Sequence, residues 1–411
     1  MDDKPRNLRE MLAEAKDRSE LMVDLAYAAL FFGDPDMAEE VSSLEEDMSD
    51  LVQDMRGICV LAVRHPKDAE GMSSVLQVIS AIERIANDAV DIARIVTHQV
   101  GIPAELVADL SAAEEVSHRV TVFDGSHLAH RPLSAHELPV QTGMRVVAVR
   151  RGRTWITDVD GDLVIVPTDV LFLRGSPDGI ARLRELAAAE RWSPPLVTEE
   201  DLFVTDLDRA VDVLVEMKNL SEAAVGLAYS ALVLGDRGLA AEVRLLEDRL
   251  DEMKDRLELW VLRAASGKPD PSSLRGVLHL SQAAEDIGDQ AQAMVWLIEQ
   301  QEDVHPILGL ALGDSDEVVV KVPVAPDSEV DGRTLAELQL NIEPGFSILA
   351  IHRGGQYLYR PGGRVRLLAG DELIAGGPDE GREFLTMRCG WRLVDPDGDG
   401  EMELEAIAPL A

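Results

Sequence analysis

Apolar side chains return at a helical period along residues 8–29. Leu8, Ala15, Met22 and Ala29 form one heptad row, flanked by Leu12, Ser19 and Ala26, which predicts an amphipathic helix with one buried stripe. Gly33 suits the left-handed position that closes such a helix. Asp34 and Pro35 then supply an N-cap and a first-turn proline for a second helix. That helix runs through LEEDMSDLVQDMRGICVLAV to His65-Pro66, where proline forbids continuation. A third helix is predicted over VLQVISAIERIANDAVDIARIV. Long helices on short links fold as an antiparallel three-helix bundle.

The period then changes. VSHRVTVFD, MRVVAVRR, TWITDVD and LVIVP are short runs rich in Val and Ile, the composition of strands. Asp160-Gly161 reads as a hairpin turn between the last two. GSPDGIARLRELAAA starts a helix with Ser176 as N-cap and Pro177 in the first turn. This segment is a small α+β unit.

Both patterns occur twice. LAYAALFFGD (25–34) matches LAYSALVLGD (227–236), and AIERIANDAVDIA (81–93) matches AAEDIGDQAQAMV (283–295). GMRVVAVRRG (143–152) matches GFSILAIHRG (345–354), and LFLRGSPDG (171–179) matches LIAGGPDEG (373–381). Each match is offset by 202 residues, so the chain is an ungapped duplication. The expected architecture is two antiparallel three-helix bundles, 1–108 and 201–308, alternating with two small α+β domains, 112–192 and 314–394. An acidic tail follows at 395–411. WSPPLVTEED (192–201), with paired prolines and acids, separates the halves.

The 411 residues carry 76 Asp plus Glu against 39 Lys plus Arg, a net charge of −37. Such a field repels polyanions, so nucleic acid and anionic bilayers are excluded as default partners. A hydrophobic content of 46% excludes disorder. No apolar run reaches the ~18 residues of a membrane span, and MDDKPRNLRE lacks the build of a signal peptide. With only Cys59 and Cys389, a disulfide framework is excluded and a reducing cytoplasm is expected. Only seven of the basic residues are Lys. Excess carboxylate with little lysine fits a salt-rich cytoplasm, where the Debye length falls to ~3 Å at 1 M; a GC-rich genome accounts for the Arg bias equally.

The helical unit resembles the PhoU domain, through AALFFGDPDMAEEVSSLEEDM, HPKDAEGMSSVLQVISAIERIANDA and their second copies. The α+β unit resembles the TrkA C-terminal domain, the C-terminal half of the RCK module that regulates potassium channels and cation transporters. RPLSAHELPVQTGMRVVAVRRG with VPTDVLFLRGSPDGI carries this likeness, repeated as DGRTLAELQLNIEPGFSILAIHRGG with LLAGDELIAGGPDEG. The Rossmann half of an RCK module is missing: GLALGDSDE (309–317) lacks the G-x-G-x-x-G spacing, which argues against a nicotinamide cofactor.

The PhoU resemblance implies a metal motif, E-x-x-x-D, on two helices of each bundle. Acids four apart share one helical face, so two helices can present four carboxylates to a hard cation or iron. Spacing alone says nothing in a chain with 76 acids; position within the family pattern does. The second bundle keeps Glu247 with Asp251 and Glu285 with Asp289. The first has Glu45 with Ser49 and Glu83 with Asn87, so both aspartates are lost. Asp91 is a substitute ligand there; Asp50 and Asp88 point about 100° off the motif face. A divalent metal or iron is therefore expected at the second bundle, against the plainer reading of a solvated acidic face paired with Arg84 and Arg249. DPDGDGEMELE (395–405) opens like a calcium loop but has Ala406 where a bidentate Glu belongs, and reads as tail. His127-x-x-His130, near His118 and His136, has no cysteine beside it and reads as surface histidine rather than a zinc site.

Scarce basic residues gather in the α+β units. Arg145, Arg150, Arg151 and Arg153 cluster in the first copy; His352, Arg353, Arg360, Arg364 and Arg366 cluster in the second. Arginine forks suit phosphate, so Arg150, Arg151, Arg153, His352 and Arg353 are candidates for an anionic ligand; charge balance on a strand face is the alternative. The TrkA resemblance implies small effectors at a paired interface, cyclic di-AMP or another nucleotide among them. No G-x-S-x-G, P-loop or HExxH motif is present, and the Ser, His and Asp residues form no nucleophile pattern. The expectation is a regulatory subunit, not an enzyme, acting on a membrane cation transporter or channel that carries potassium. The two α+β units are expected to pair as an intrachain pseudo-dimer. A PhoU-type regulator of phosphate uptake, or a metal-binding scaffold, is the alternative.

Overall fold

The computed structural model describes residues 7–103, 106, 110, 115–190, 205–266, 271–299, 304–313, 315, 317–394 and 402–407. They divide into two compact units. One is made of Met1–Arg119, Val147–Thr157 and Trp192–Ser315; the other of Val120–Val146, Asp158–Arg191 and Asp316–Ala411.

In the first unit, α1 (Leu8–Phe32) starts at Asn7, whose side chain accepts from Glu10 N, and ends at Gly33 with φ +59°. All seven residues of the double heptad row are buried. Asp34 Oδ1 accepts from Asp36 N and Met37 N to begin α2 (Pro35–Ala62). The third helix, α3 (Pro66–Thr97), starts nearer the turn than its apolar run implies. Pro66 opens it rather than merely ending α2, because Asp68 Oδ2 accepts from His65 N at 2.9 Å and fixes the first turn.

After the β-rich segment, α6 (Asp206–Leu234) repeats α1, with a Thr205–Asp208 capping box and Gly235 at φ +60°. Asp236 caps α7 (Arg237–Ser266), and α8 (Arg275–Glu299) completes the second bundle. Within each copy the three helices pack against one another, and α3 lies along α8. Gln77 Nε2 donates across that seam to the Ala293 carbonyl at 2.6 Å. The contacts are reciprocal. Lys16 Nζ lies 5.2 Å over the Tyr229 ring, and Lys218 Nζ lies 5.2 Å over Tyr27. Segments after each third helix are exchanged as well: Gly276 N donates to Gly101 O, and His305 N donates to Ser74 Oγ. His305 caps the short α9 (Pro306–Leu312), which packs on α1 and α6.

Each α+β copy has a four-stranded sheet. The first has the order β1-β6-β3-β4, from Val116–Thr121, Val170–Gly175, Met144–Arg151 and Thr154–Ile156. The second has β7-β10-β8-β9, from Glu317–Pro323, Glu372–Pro378, Ser347–Arg353 and Gln356–Tyr359. Alternate residues of the second sheet, Val318, Val320, Val322, Leu373, Ala375 and Ile351 among them, form its core with Phe346 and Leu385. Short helices α4 (Leu138–Thr142), α5 (Ile180–Leu186), α10 (Leu335–Leu338) and α11 (Arg382–Arg388) complete the copies.

Asp160-Gly161 does not join a hairpin. Strand β4 pairs with β3, while β5 (Val164–Ile165) pairs with β2 (Arg131–Pro132). Asp160 makes a local turn instead, its Oδ1 accepting from Asp162 N. Ser176 makes no cap hydrogen bond to the helix it precedes; its Oγ accepts from Asn341 Nδ2 at 3.0 Å. Beyond residue 394, β12 (Glu403–Ala406) pairs with β11 (Trp391–Val394), so the tail segment contributes a strand. The calcium-like run 395–401 lies outside the described residues.

The α+β copies also meet reciprocally. A Cβ on Gly143 would stand 2.0 Å from Asn341 O, and one on Gly345 would stand 2.4 Å from Pro139 O. Gly143 and Gly345 are repeat equivalents, as are Pro139 and Asn341. Each loop therefore seats its main chain where only glycine leaves room. Arg145 Nη1, on β3, approaches Glu317 Oε1, on β7, to 3.3 Å.

Candidate functional site

The acid motifs of the second bundle converge. Glu247 and Asp251 stand on α7, one turn apart; Glu285 and Asp289 stand on α8, one turn apart. Glu247 lies beside Asp289, and Glu285 beside Asp251, across the two helices. Burial first, then Asp251, Asp289 and Asp248, push the Glu247 carboxyl up to about 7. Burial and then Asp251 raise Asp289 in the same sense. Asp286 joins the group: oxygens of Glu285, Asp286 and Asp289 lie within 4.8 Å of one another.

Three donors already serve these oxygens. Lys254 Nζ, from α7, donates to Glu285 Oε2 at 2.9 Å. Gln282 Nε2 donates to the same oxygen at 3.0 Å and to Asp286 Oδ1 at 2.9 Å. Gln292 Nε2 donates to Glu247 Oε2 at 2.8 Å. Burial opposes the ammonium of Lys254, but its bond to Glu285 and the surrounding carboxylates outweigh burial and hold it above its ordinary range. Burial pushes Glu285 up despite that bond; the crowd of like charges favours a cation beside it. The oxygen donors suit a hard cation in type, but with the lysine seated they do not fit one.

The first bundle differs. Arg56 Nη2 meets Glu83 Oε2 at 2.6 Å, and Ser80 Oγ accepts from the same guanidinium at 3.4 Å. Asp91 pairs on the surface with Arg94 at 2.6 Å. Glu45 and Ser49 are half-buried, while Asn87 is exposed. Asp88, turned off the motif face, looks toward the second copy. Burial, then Asp286 and Asp91, push it up to about 8 against the pull of Arg84. Its Oδ2 is buried with no hydrogen-bond partner.

Three of the candidate anion ligands, Arg150, His352 and Arg353, meet carboxylates. Arg150 Nη1 lies 3.5 Å from Asp34 Oδ2, and its guanidinium lies over Trp155 at 5.7 Å. Arg353 clamps buried Asp371 with two bonds of 2.6 Å. His352 Nδ1 is 2.8 Å from Glu372 and packs against Tyr357. Arg151 and Arg153 are exposed at the β3–β4 turn. Among the described residues, the group of metal-type donors is the acidic one on α8, and neither His127 nor His130 belongs to it.

Sequence reasoning missed Lys254, Asp286 and the two glutamines. The scarcity of lysine was the one signal in the sequence; in the structure Lys16, Lys218 and Lys254 have side chains only 3%, 7% and 19% exposed.

Family models match both kinds of unit. The PhoU model matches residues 12–96 and 214–296, and the TrkA-C model matches 118–188 and 319–386. The chain carries two PhoU domains and two TrkA-C domains. A search of curated proteins finds no match. Among solved structures, PhoU from Pseudomonas aeruginosa is 15% identical with a TM-score of 0.37, covering 71% of this chain and 93% of its own. The GsuK channel bound to NAD is 14% identical with a TM-score of 0.18, covering 78% of this chain and 65% of the channel's. The GsuK RCK domain is 17% identical with a TM-score of 0.18, covering 84% and 78%. The assignment rests on the family models. No helix among the described residues is long and apolar enough to cross a membrane.

Proposed function

We propose that this PhoU/TrkA-C chain is a regulatory, non-catalytic subunit of cation transport, with potassium as the ion, acting in the cytoplasm on a membrane transporter or channel. The observation that carries this reading is the reciprocal seating of the two TrkA-C copies, Gly143 against Asn341 and Gly345 against Pro139. They pair as a dimer internalised in one chain. An effector held between two such halves favours one arrangement, and shifts the partner's equilibrium by its differential affinity. A small anionic effector, cyclic di-AMP or another nucleotide, is the expected ligand class.

Calorimetric titration with cyclic di-AMP, ATP and ADP tests the sensing role: saturable binding of one of them is expected, and silence for all three removes it. Affinity capture from detergent-solubilised membranes tests the partner. A potassium or other cation transporter supports the reading. A phosphate permease supports the second reading, a PhoU-type regulator of phosphate uptake, which the two PhoU domains favour.

A further inference from the structure

Glu83 and Glu285 occupy the same repeat position on the third helix of their bundles. Each is met by a basic side chain from the second helix of its own bundle: Arg56 at 2.6 Å and Lys254 at 2.9 Å. These two cations are not repeat equivalents. Arg56 aligns with Glu258, and Lys254 aligns with Val52, so the donors sit about one helical turn apart. The copies share the pairing without sharing the residue that makes it. A cation at this glutamate is thus a requirement of the place, met twice by different means.

The chemistry explains why. Four or five carboxylates crowded between two helices repel one another unless protons or cations intervene. A divalent ion and an ammonium answer that need through the same oxygen lone pairs, so they exclude each other. Gln282 and Gln292 spend further lone pairs on Glu285, Asp286 and Glu247. To enter, a metal would have to strip Glu285 of two donors and leave the mostly buried Lys254 unpaired.

We propose that Lys254 stands in the metal's place in the second bundle, as Arg56 does beside Glu83 in the first, so that the PhoU motifs of this protein are held by built-in side-chain cations and take up no divalent ion.

The test is a Mn²⁺ titration of the full chain, followed by calorimetry and Mn²⁺ electron spin resonance, in KCl concentrated enough to suppress loose counter-ions on the −37 surface. Wild type is expected to show no stoichiometric Mn²⁺ and no change in Tm on adding it. Lys254→Met and Lys254→Gln should each acquire one Mn²⁺ per chain, at least about tenfold tighter than wild type. Adding Glu285→Gln to Lys254→Met should abolish that gain. Wild type binding one Mn²⁺ as tightly as the variants overturns the proposal. So do folded variants that bind none. If neither variant folds alone, recovery of helicity on adding Mn²⁺ supports the substitution, and failure to recover overturns it.

Discussion

Two single residues expose what the fold tolerates. Asp88 carries an orphaned, buried carboxyl oxygen, and its pKa is about 8, against roughly 3.9 in an unfolded chain. The folded state therefore holds this proton more tightly. Its stabilising effect is whole below pH ~4 and is lost as pH rises through about 8. Asp88→Asn, which mimics the buried amide at the sister position Gln290, should raise Tm at pH 8.5 by several degrees, with the gap closing near pH 5. Thermal scans across that range decide it; a gap independent of pH would mean that Asp88 is not the titrating group. Thr168 is the second case. It sits at φ +76° where the sister copy has Gly370 at +89°. A β-branched residue there costs about 1–2 kcal/mol, partly offset by the ~0.5–1 kcal/mol entropic cost of glycine. Its N–H already donates to Val122 O, a bond that glycine keeps. Thr168→Gly should thus stabilise by roughly 0.5–1 kcal/mol in denaturant titration.

Elements were legible wherever local chemistry decides them. Gly33-Asp34-Pro35 wrote a helix end, a cap and a helix start, and its sister Gly235-Asp236 repeated the end and the cap. The heptad row of α1 lies buried as its period demanded. What failed depended on distant neighbours. Asp160-Gly161 has hairpin chemistry, but the strands on either side pair elsewhere, β4 with β3 and β5 with β2. The acidic partners of Arg353 and Arg150 were not legible, because Asp371 and Asp34 are 18 and over 100 positions away in the chain. The acid pairs were picked out by their place in the PhoU pattern, not by spacing; Lys254 was not legible, since its position matches no motif. The tight loops permit a direct check. Gly143→Ala and Gly345→Ala should each lower Tm, by about 2 kcal/mol or more in stability, since both left-handed strain and a main-chain clash result. Gly152→Ala, also at φ +63° but with nothing within 4 Å, carries strain alone and should cost clearly less. Equal losses in all three would deny the tight seating.

At the scale of the whole molecule, charge and duplication set the behaviour. A net −37 strains the folded chain by self-repulsion, which mobile ions relieve. Tm should therefore climb as KCl rises from low ionic strength toward molar concentration; a fall at molar salt would contradict that. The repeat was visible in the sequence from its constant register. The reciprocal contact of the two bundles was not, because nothing in one copy names which helix face meets the other. Lys16 over Tyr229 and Lys218 over Tyr27 supply that face.

Joining the copies end to end also changes how this protein evolves. In a pair of identical chains every substitution lands twice, once on each side of the symmetry axis. Here each side has its own codons, and the carboxyl of Asp88 has an amide, Gln290, as its counterpart in the other copy. One lobe is thereby free to specialise while the other preserves the scaffold, so a single point change can tilt the balance between them without breaking both.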